Sequence, residues 1–215
     1  MAKRFEAAGL SVSTQSFGTR PGRSRNVIGV KKGSQGCLKI FMAHADSAGG
    51  DEPGANDNAS GVGALVALAP LLEGRGCETW LVATGAEERV YTGSPDHLGA
   101  LALARRARNR DLRWALSLDE VGRDGSFHLR SPVRAIRPKV EGELLRAARR
   151  KRVPVRWVRD EGQGNSDHRE FELAALPGMK LGGRADPCRH MPCDRGSRLR
   201  ALPLGRTLRL LVELQ

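Results

Sequence analysis

Hydrophobic residues fall into short runs that alternate with longer stretches rich in Ala, Leu and Val. The short runs are typical of buried strands and cover residues 26–30, 38–43, 79–83, 114–118, 127–130, 155–158 and 176–181. The longer stretches have helical spacing and cover residues 59–72, 94–108, 140–150 and 199–214. Strands that alternate with helices predict an α/β fold with a mixed, mostly parallel central sheet and helices on both faces.

Proline and serine signals refine the helix boundaries. Ser94, Pro95 and Asp96 predict a helix start, with Ser as cap, Pro in the first turn and an acid near the positive end of the dipole. Pro70 is expected to kink or end the first helix, and Pro203 to interrupt the last. No repeat or low-complexity linker is visible, so we expect a single domain over residues 1–215 with a short lead-in at 1–25.

The composition is that of a globular protein, with 40% hydrophobic and 28% charged residues. No apolar run reaches the roughly 18 residues of a membrane span, so no membrane association is expected. The first residues include Lys3 and Arg4 but no apolar stretch, so no signal peptide is expected. This leaves two alternatives: a cytoplasmic protein, or an exported one whose leader is missing from the sequence.

The net charge of +12 raises the possibility of nucleic-acid binding. However, the arginine clusters at 105–110 and 146–152 lie in predicted helices, where a charge run is usually the solvated face. Tyr91 is the only tyrosine, and no arginine–aromatic platform for stacking bases is present. A specific nucleic-acid function is therefore not expected.

Acidic and histidine residues follow several predicted strands. The clusters are His44-Ala45-Asp46, the loop 54–61 with Asp57, Glu87-Glu88, Asp119-Glu120, and His190 late in the chain. The carboxyl ends of parallel strands share one edge of a sheet, so these side chains are expected to meet. Imidazole and carboxylate are ligands that zinc takes, which makes this edge a candidate zinc site.

These stretches resemble the di-zinc aminopeptidases of metallopeptidase family 28, of the bacterial aminopeptidase type. The matching segments are 43–47, 53–61 with the helix after it, 85–88 with 92–94, 118–122, 166–168 with Phe171, and His190 with Asp194. The resemblance begins near Gly9 and extends to the C-terminus. It implies a zinc-exopeptidase fold and substrates that are peptides with a free N-terminus.

The resemblance implies two zinc ions bridged by Asp57. His44 and Asp119 would complete one site, and Glu88 and His190 the other. Glu87 would be the general base and later the general acid. Two cations about 3.5–4 Å apart acidify a water between them and polarise the scissile carbonyl. A cis peptide bond between Asp57 and Asn58 is also implied.

Several residues beside the ligands are assigned from the same resemblance. Asp46 is expected to accept the free ring N–H of His44, and Asp194 that of His190. Asp167 matches a position near the substrate end of the site. Arg189 replaces a tyrosine that binds the oxyanion in several bacterial members, and it either supplies the same assistance or points to solvent. His97 and His128 are interpreted as structural, and His168 has no ligand partner in this pattern.

The four cysteines form two plausible pairs. Secreted members of the family close a small disulfide around the metal histidine, which implies Cys188–Cys193. Cys37 and Cys77 each precede a strand and are placed to meet at the amino edge of the sheet. The alternatives are four reduced cysteines, or a structural zinc site of Cys188, Cys193 and His190.

Two other functions stay open at this point. One is a single-zinc enzyme similar to glutaminyl-peptide cyclotransferases; the sequence context at 57–61 favours the peptidase instead. The other is a non-catalytic binding domain, which has no chemical reason to retain five ligands and Glu87. The preferred N-terminal residue and the oligomeric state are not evident from the sequence.

Overall fold

Eight strands form one mixed sheet in the computed structural model, which describes residues 1–20, 22–88, 96–131, 137–160, 165–184 and 186–215. The strands are β1 (Ser11–Thr19), β2 (Gly22–Lys31), β3 (Cys37–His44), β4 (Glu78–Thr84), β5 (Asp111–Leu118), β6 (Phe127–Ser131), β7 (Val155–Arg159) and β8 (Gly178–Gly182). Their order in the sheet is β1-β2-β4-β3-β5-β8-β6-β7. The four central strands β4, β3, β5 and β8 run parallel to one another.

Helices cover both faces of this sheet, as predicted. They are α1 (Ala2–Ala7), α2 (Ser60–Leu68), α3 (Leu98–Ala107), α4 (Pro138–Arg150), α5 (His168–Leu173) and α6 (Ala201–Leu214). Side chains of β3 are buried on both faces of the sheet. Phe41 packs in the core on one face, with α1, α2, α4 and α6. Ile40 and Met42 pack in the core on the other face, with α3 and α5. Because successive strand residues point to opposite faces, the apolar run at residues 40–43 of β3 fits a strand buried on both sides.

Pro70 and Pro203 lie at helix boundaries and have different effects there. Helix α2 ends at Leu68 and continues as a 3₁₀ turn over Ala69–Leu71 that contains Pro70, as expected. The prediction for Pro203 was wrong: α6 begins at Ala201 and Pro203 lies in its first turn, where a backbone N–H has no helical partner to lose. The predicted start of α3 at Ser94 and Pro95 lies outside the described residues, and the helix begins at Leu98.

The predicted lead-in at 1–25 contains regular structure. Helix α1, strand β1 and the first part of β2 all fall within it. β1 pairs with β2 along its whole length, from Ser11 opposite Val30 to Thr19 opposite Gly22. Helix α5 was also not predicted, because it is short and buries a single large apolar side chain, Phe171.

Both cysteine pairs are disulfides. Cys37–Cys77 joins the beginning of β3 to the residue before β4, and Cys188–Cys193 closes a small loop around His190. No cysteine is free within the described residues. The alternatives of reduced cysteines and of a cysteine-bound zinc site were therefore wrong.

The surface agrees with the interpretation of the arginine clusters. Arg105, Arg106 and Arg108 are exposed at the end of α3, and Arg149 and Arg150 at the end of α4. None of the helices in the described ranges combines the length and apolar character needed to cross a bilayer.

Candidate metal centre

The predicted clusters meet at the carboxyl edge of the four parallel strands. His44 is the last residue of β3, Asp119 directly follows β5, and Glu87 and Glu88 follow β4. Because β4, β3 and β5 are adjacent and parallel, their ends place these side chains side by side. All four are at most 5% exposed.

Asp57 reaches this edge from a loop that is pinned against β5. The segment Ala55–Ala59 contains the cis peptide bond between Asp57 and Asn58 that the resemblance implies. Asn58 Nδ2 donates to Leu118 O at 2.8 Å, and its Oδ1 accepts from Gly61 N–H at 3.1 Å. A Cβ at Gly61 would lie 2.5 Å from Leu118 O, so only glycine permits this close approach.

The five predicted ligands form one connected cluster around Asp57. His44 Nε2 lies 3.0 Å from Asp57 Oδ1 and 3.7 Å from Asp119 Oδ1. On the other side, His190 Nε2 lies 3.3 Å from Asp57 Oδ2 and 2.9 Å from Glu88 Oε1. Asp57 thus stands between the two pairs, the position that a bridging ligand requires.

The donor chemistry fits a cation. His44 Nδ1 faces the carbonyl of Asp46 at 3.0 Å, so Nδ1 carries the proton in the neutral ring and the lone pair of Nε2 faces two carboxylates. Asp57 Oδ1 and Asp119 Oδ1 are buried without a hydrogen-bond partner among the described residues. A lone pair and two such oxygens need a positive charge between them, and imidazole with carboxylate suits zinc.

Crowding of the carboxylates perturbs the ionisation of the cluster. Burial, followed by the charges of Glu87 and Asp57, raises the pKa of Glu88 to about 7. A hydrogen bond to Asp57 is the main cause that raises the pKa of His190 to about 9. Burial alone would lower the pKa of His44, but the carboxylates around it, Glu87 foremost, raise it well above its usual value. Without a metal ion, the cluster thus favours protons on these groups.

Asp46 accepts the ring N–H of His44 as predicted, but through its backbone carbonyl. The prediction for Asp194 was wrong, because its carboxylate accepts backbone N–H groups and not the ring of His190. The carbonyl of Asp46 faces His44, while its carboxylate accepts the N–H groups of Glu87 and Glu88 at 3.2 and 3.0 Å. The Asp194 carboxylate accepts the N–H of Asp57 at 2.9 Å and that of Asn56 at 2.8 Å. Each carboxylate therefore fixes a backbone segment that carries a predicted ligand.

Glu87 has a histidine partner that the sequence interpretation missed. His97 Nε2 lies 3.0 Å from Glu87 Oε1, a contact that its interpretation as a structural residue did not include. Burial and the charge of Glu87 raise the pKa of Asp167 to about 7, and Thr84 Oγ1 donates a hydrogen bond to it. His128 lies on β6 and His168 bonds Asp160 at 2.6 Å.

Arg189 turns towards the cluster. Its Nε donates to Asp57 Oδ2 at 3.2 Å, and its side chain is 31% exposed. The guanidinium therefore lies at the open side of the site, between Asp57 and solvent. The matched segment 92–94 falls outside the described residues.

Two further charged residues contact predicted ligands and lie outside the sequence motifs. Lys180 Nζ lies 2.7 Å from Asp119 Oδ2, and both side chains are buried. Glu52 accepts the backbone N–H of His190 at 3.1 Å and that of Ala48 at 3.1 Å. Lys180 stands alone in an apolar strand, which is the one cue that indicates a buried ion pair.

The sequence model of peptidase family M28 matches residues 26–214. The chain belongs to peptidase family M28. One relative of this M28 chain is the uncharacterized protein YfbL of Escherichia coli strain K12, 33% identical over 127 residues. The match covers 55% of this chain and 39% of YfbL, so the M28 chain spans well under half the length of that relative.

Solved structures share the fold of this M28 chain over nearly its whole length. A leucine aminopeptidase precursor from Bacteroides thetaiotaomicron has a TM-score of 0.82 at 22% identity, over 99% of this chain and 84% of that one. A glutaminyl cyclase from the same organism, bound to N-acetylhistamine, has a TM-score of 0.81 at 21% identity, over 99% and 85%. At these identities the similarity shows the fold alone.

Proposed function

We propose that the protein is a zinc-dependent aminopeptidase that removes the N-terminal residue of peptides. The observation that carries the proposal is the pairing of His44 with Asp119 and of Glu88 with His190 on opposite oxygens of Asp57. Membership of a peptidase family and the aminopeptidase-like fold support it.

The ligand set would hold two zinc ions. His44 and Asp119 would bind one, Glu88 and His190 the other, and Asp57 would contact both. Zinc, when bound, polarises the scissile carbonyl and lowers the pKa of the attacking water. Asp46 and Asp194 keep the ligand-bearing segments in place through the backbone N–H groups they accept.

Glu87 moves the proton in this proposal. Its Oε1 contacts His97, and its other oxygen accepts a proton from the attacking water. Glu87 then delivers that proton to the amine of the leaving peptide, so the carboxylate returns to its starting form. Arg189 stabilises the negative charge that develops on the carbonyl oxygen, because its guanidinium lies beside Asp57 at the open side of the site.

A glutaminyl cyclase is the second candidate, because one shares the fold over 99% of this chain. Such an enzyme would use one zinc ion and cyclise an N-terminal Gln with release of ammonia. The two functions differ in product and in metal content.

The deciding experiment offers the zinc-loaded protein a panel of aminoacyl p-nitroanilides and short peptides, among them some with N-terminal Gln. We expect free amino acids by mass spectrometry, loss of activity with a chelator, recovery with zinc, and two zinc ions per chain. Ammonia and pyroglutamyl peptide with one zinc ion per chain would identify the cyclase. Product formation that survives chelation contradicts both.

A further inference from the structure

His97 lies against Glu87 and takes no part in the ligand set. Its Nε2 is 3.0 Å from Glu87 Oε1, and the residue is 3% exposed, so water does not compete for this contact. A carboxylate oxygen only accepts hydrogen bonds, so Nε2 carries the proton. His97 therefore acts as a donor to one of the two oxygens of Glu87.

The backbone fixes this pair independently of the side chains. Residues 97–99, at the start of α3, are hydrogen bonded to residues 85–87, the segment that contains Glu87. Three hydrogen bonds join them: His97 N–H to Glu87 O at 3.0 Å, Leu98 N–H to Ala86 O at 2.9 Å, and Gly99 N–H to Gly85 O at 3.1 Å. These hydrogen bonds hold the backbone that carries the imidazole next to the backbone that carries Glu87.

Carboxylates also surround the far side of the ring. His97 Nδ1 lies 3.7 Å from Glu170 Oε1 and 3.8 Å from Asp96 Oδ1. Arg169 binds both acids, at 2.9 Å and 2.6 Å, and holds them there. Burial alone would lower the pKa of His97, but Glu170 and Glu87 raise it to about 9. The ring is therefore a cationic donor, enclosed on both sides.

We propose that His97 is a positioning residue for the general base of the proposed aminopeptidase: it binds Oε1 of Glu87 and leaves the other oxygen to accept the proton of the attacking water. An unrestrained carboxylate rotates about its last side-chain bond, and a misplacement of about 1 Å at a reacting group costs on the order of 10²-fold in rate. This inference rests on the proposed function, because it assigns Glu87 the role of base.

The kinetic test compares His97→Asn with His97→Gln. Asn tolerates the left-handed φ of 56° at this position but is too short to reach Glu87, whereas the Gln amide reaches it. We expect His97→Asn to lower kcat about 10–100-fold, with KM and zinc per chain unchanged, and Gln to restore part of the loss. His128→Asn on β6 is the matched control and should keep the wild-type kcat.

Three results would overturn the proposal: a wild-type kcat in His97→Asn, loss of zinc from that variant, or equal kcat losses in the Asn and Gln variants. A second readout does not need activity. The zinc-loaded protein has five histidines, so their imidazole ¹⁵N–¹H signals can be resolved by NMR. The Nε2–H signal that His97→Asn removes should exchange slowly and shift in Glu87→Gln. An unshifted signal contradicts the contact, even if no peptide proves to be a substrate.

Discussion

At the residue scale, Glu87 and Glu88 are neighbours in sequence with different partners. Glu88 Oε1 lies 2.9 Å from the ring of His190, and Glu87 Oε1 lies 3.0 Å from His97. Adjacent side chains beyond a strand end point in different directions, so one carboxylate reaches the ligand cluster while the other stays beside it. Asp46 accepts both backbone N–H groups and holds this division in place.

Substitution of Glu87 or Glu88 by glutamine tests which of the two is the general base and which is the zinc ligand. Glu87→Gln keeps the shape of the side chain and removes its basicity, so we expect wild-type zinc content and a kcat lower by roughly 10²–10⁴-fold. Glu88→Gln is expected to lose zinc from one site first. Zinc per chain after dialysis and kcat on the best substrate measure both. If the Glu87 variant loses zinc and the Glu88 variant keeps it, Glu87 is the ligand and Glu88 the base, contrary to the proposal.

Substitution of Arg189 tests whether the arginine has a function at the position where several bacterial family members have a tyrosine. Its Nε donates to Asp57 Oδ2, which places a positive charge beside the residue that would contact both zinc ions in the proposed enzyme. Loss of one donor to a developing negative charge costs roughly 2.7–4 kcal/mol in other enzymes. We therefore expect Arg189→Ala to lower kcat about 10²–10³-fold with little change in KM.

Arg189→Tyr is the matching rescue, because a phenol donates the same hydrogen bond. It should recover part of the loss, with zinc content equal in all three proteins. An unchanged kcat in the alanine variant would show that Arg189 does not contribute to the reaction.

At the element scale, the sequence predicts best those elements that bury the most apolar surface. β3 has an apolar run at residues 40–43 and β5 one at 114–116, because helices cover both faces of each strand. β1 was missed because this edge strand is polar and has no fully buried residue. The meeting of His44, Glu88 and Asp119 also followed from parallel strand ends. Asp57 and His190 reach the same place from loops.

The contacts of the site that the sequence did not predict depend on how the folded backbone brings segments together, and residue type alone does not reveal this. Spacing placed Asp46 and Asp194 near their histidines but did not decide whether a ring or a backbone N–H lies closest. His97 reaches Glu87 only because residues 97–99 bond residues 85–87. The Lys180–Asp119 pair depends on the pairing of β8 with β5, which local sequence does not specify.

Glu143 on α4 offers a test of how a helix is attached to the sheet. Its carboxylate binds Arg113 at 2.9 Å and lies 3.5 Å from Lys39 Nζ. Burial alone would raise the pKa of Glu143, but Arg113 and Lys39 lower it below its usual value. A lowered pKa means that the stabilisation is complete above the unfolded-state pKa and disappears as the pH falls through the folded-state pKa.

Glu143→Gln should therefore lower the free energy of unfolding by up to about 1 kcal/mol at pH 7. The difference from the wild type should decrease as the pH falls below the usual pKa of a glutamate and vanish below the lowered folded-state pKa. Urea denaturation at pH 7 and at a series of acidic pH values measures this. Glu73→Gln, which removes an exposed ion pair with Arg75, is the control and should change stability little. A difference that does not decrease with falling pH would indicate packing instead of charge.

At the scale of the whole molecule, the two disulfides differ in the length of chain that they close and in their distance from the predicted metal site. Cys37–Cys77 joins residues 40 apart at the amino edge of the sheet, far from the ligand cluster at the carboxyl edge. Cys188–Cys193 joins residues only 5 apart and encloses His190, whose φ of 57° lies in the left-handed region. Cys37–Cys77 therefore restricts a long segment of the unfolded chain, whereas Cys188–Cys193 restricts the backbone around the predicted ligand His190.

Removing each disulfide should produce opposite patterns of stability and zinc affinity. In the chain-entropy account, a loop of this length makes Cys37–Cys77 worth about 4 kcal/mol, so the Cys37→Ser/Cys77→Ser variant should unfold at a lower temperature with unchanged zinc affinity. Cys188→Ser/Cys193→Ser should lose less stability, because its loop is short, yet bind zinc more weakly at the His190 site. Thermal unfolding and competition with a chromogenic chelator measure the two effects. Wild-type zinc affinity in the second variant would show that Glu52 and the surrounding backbone hold His190 without the disulfide.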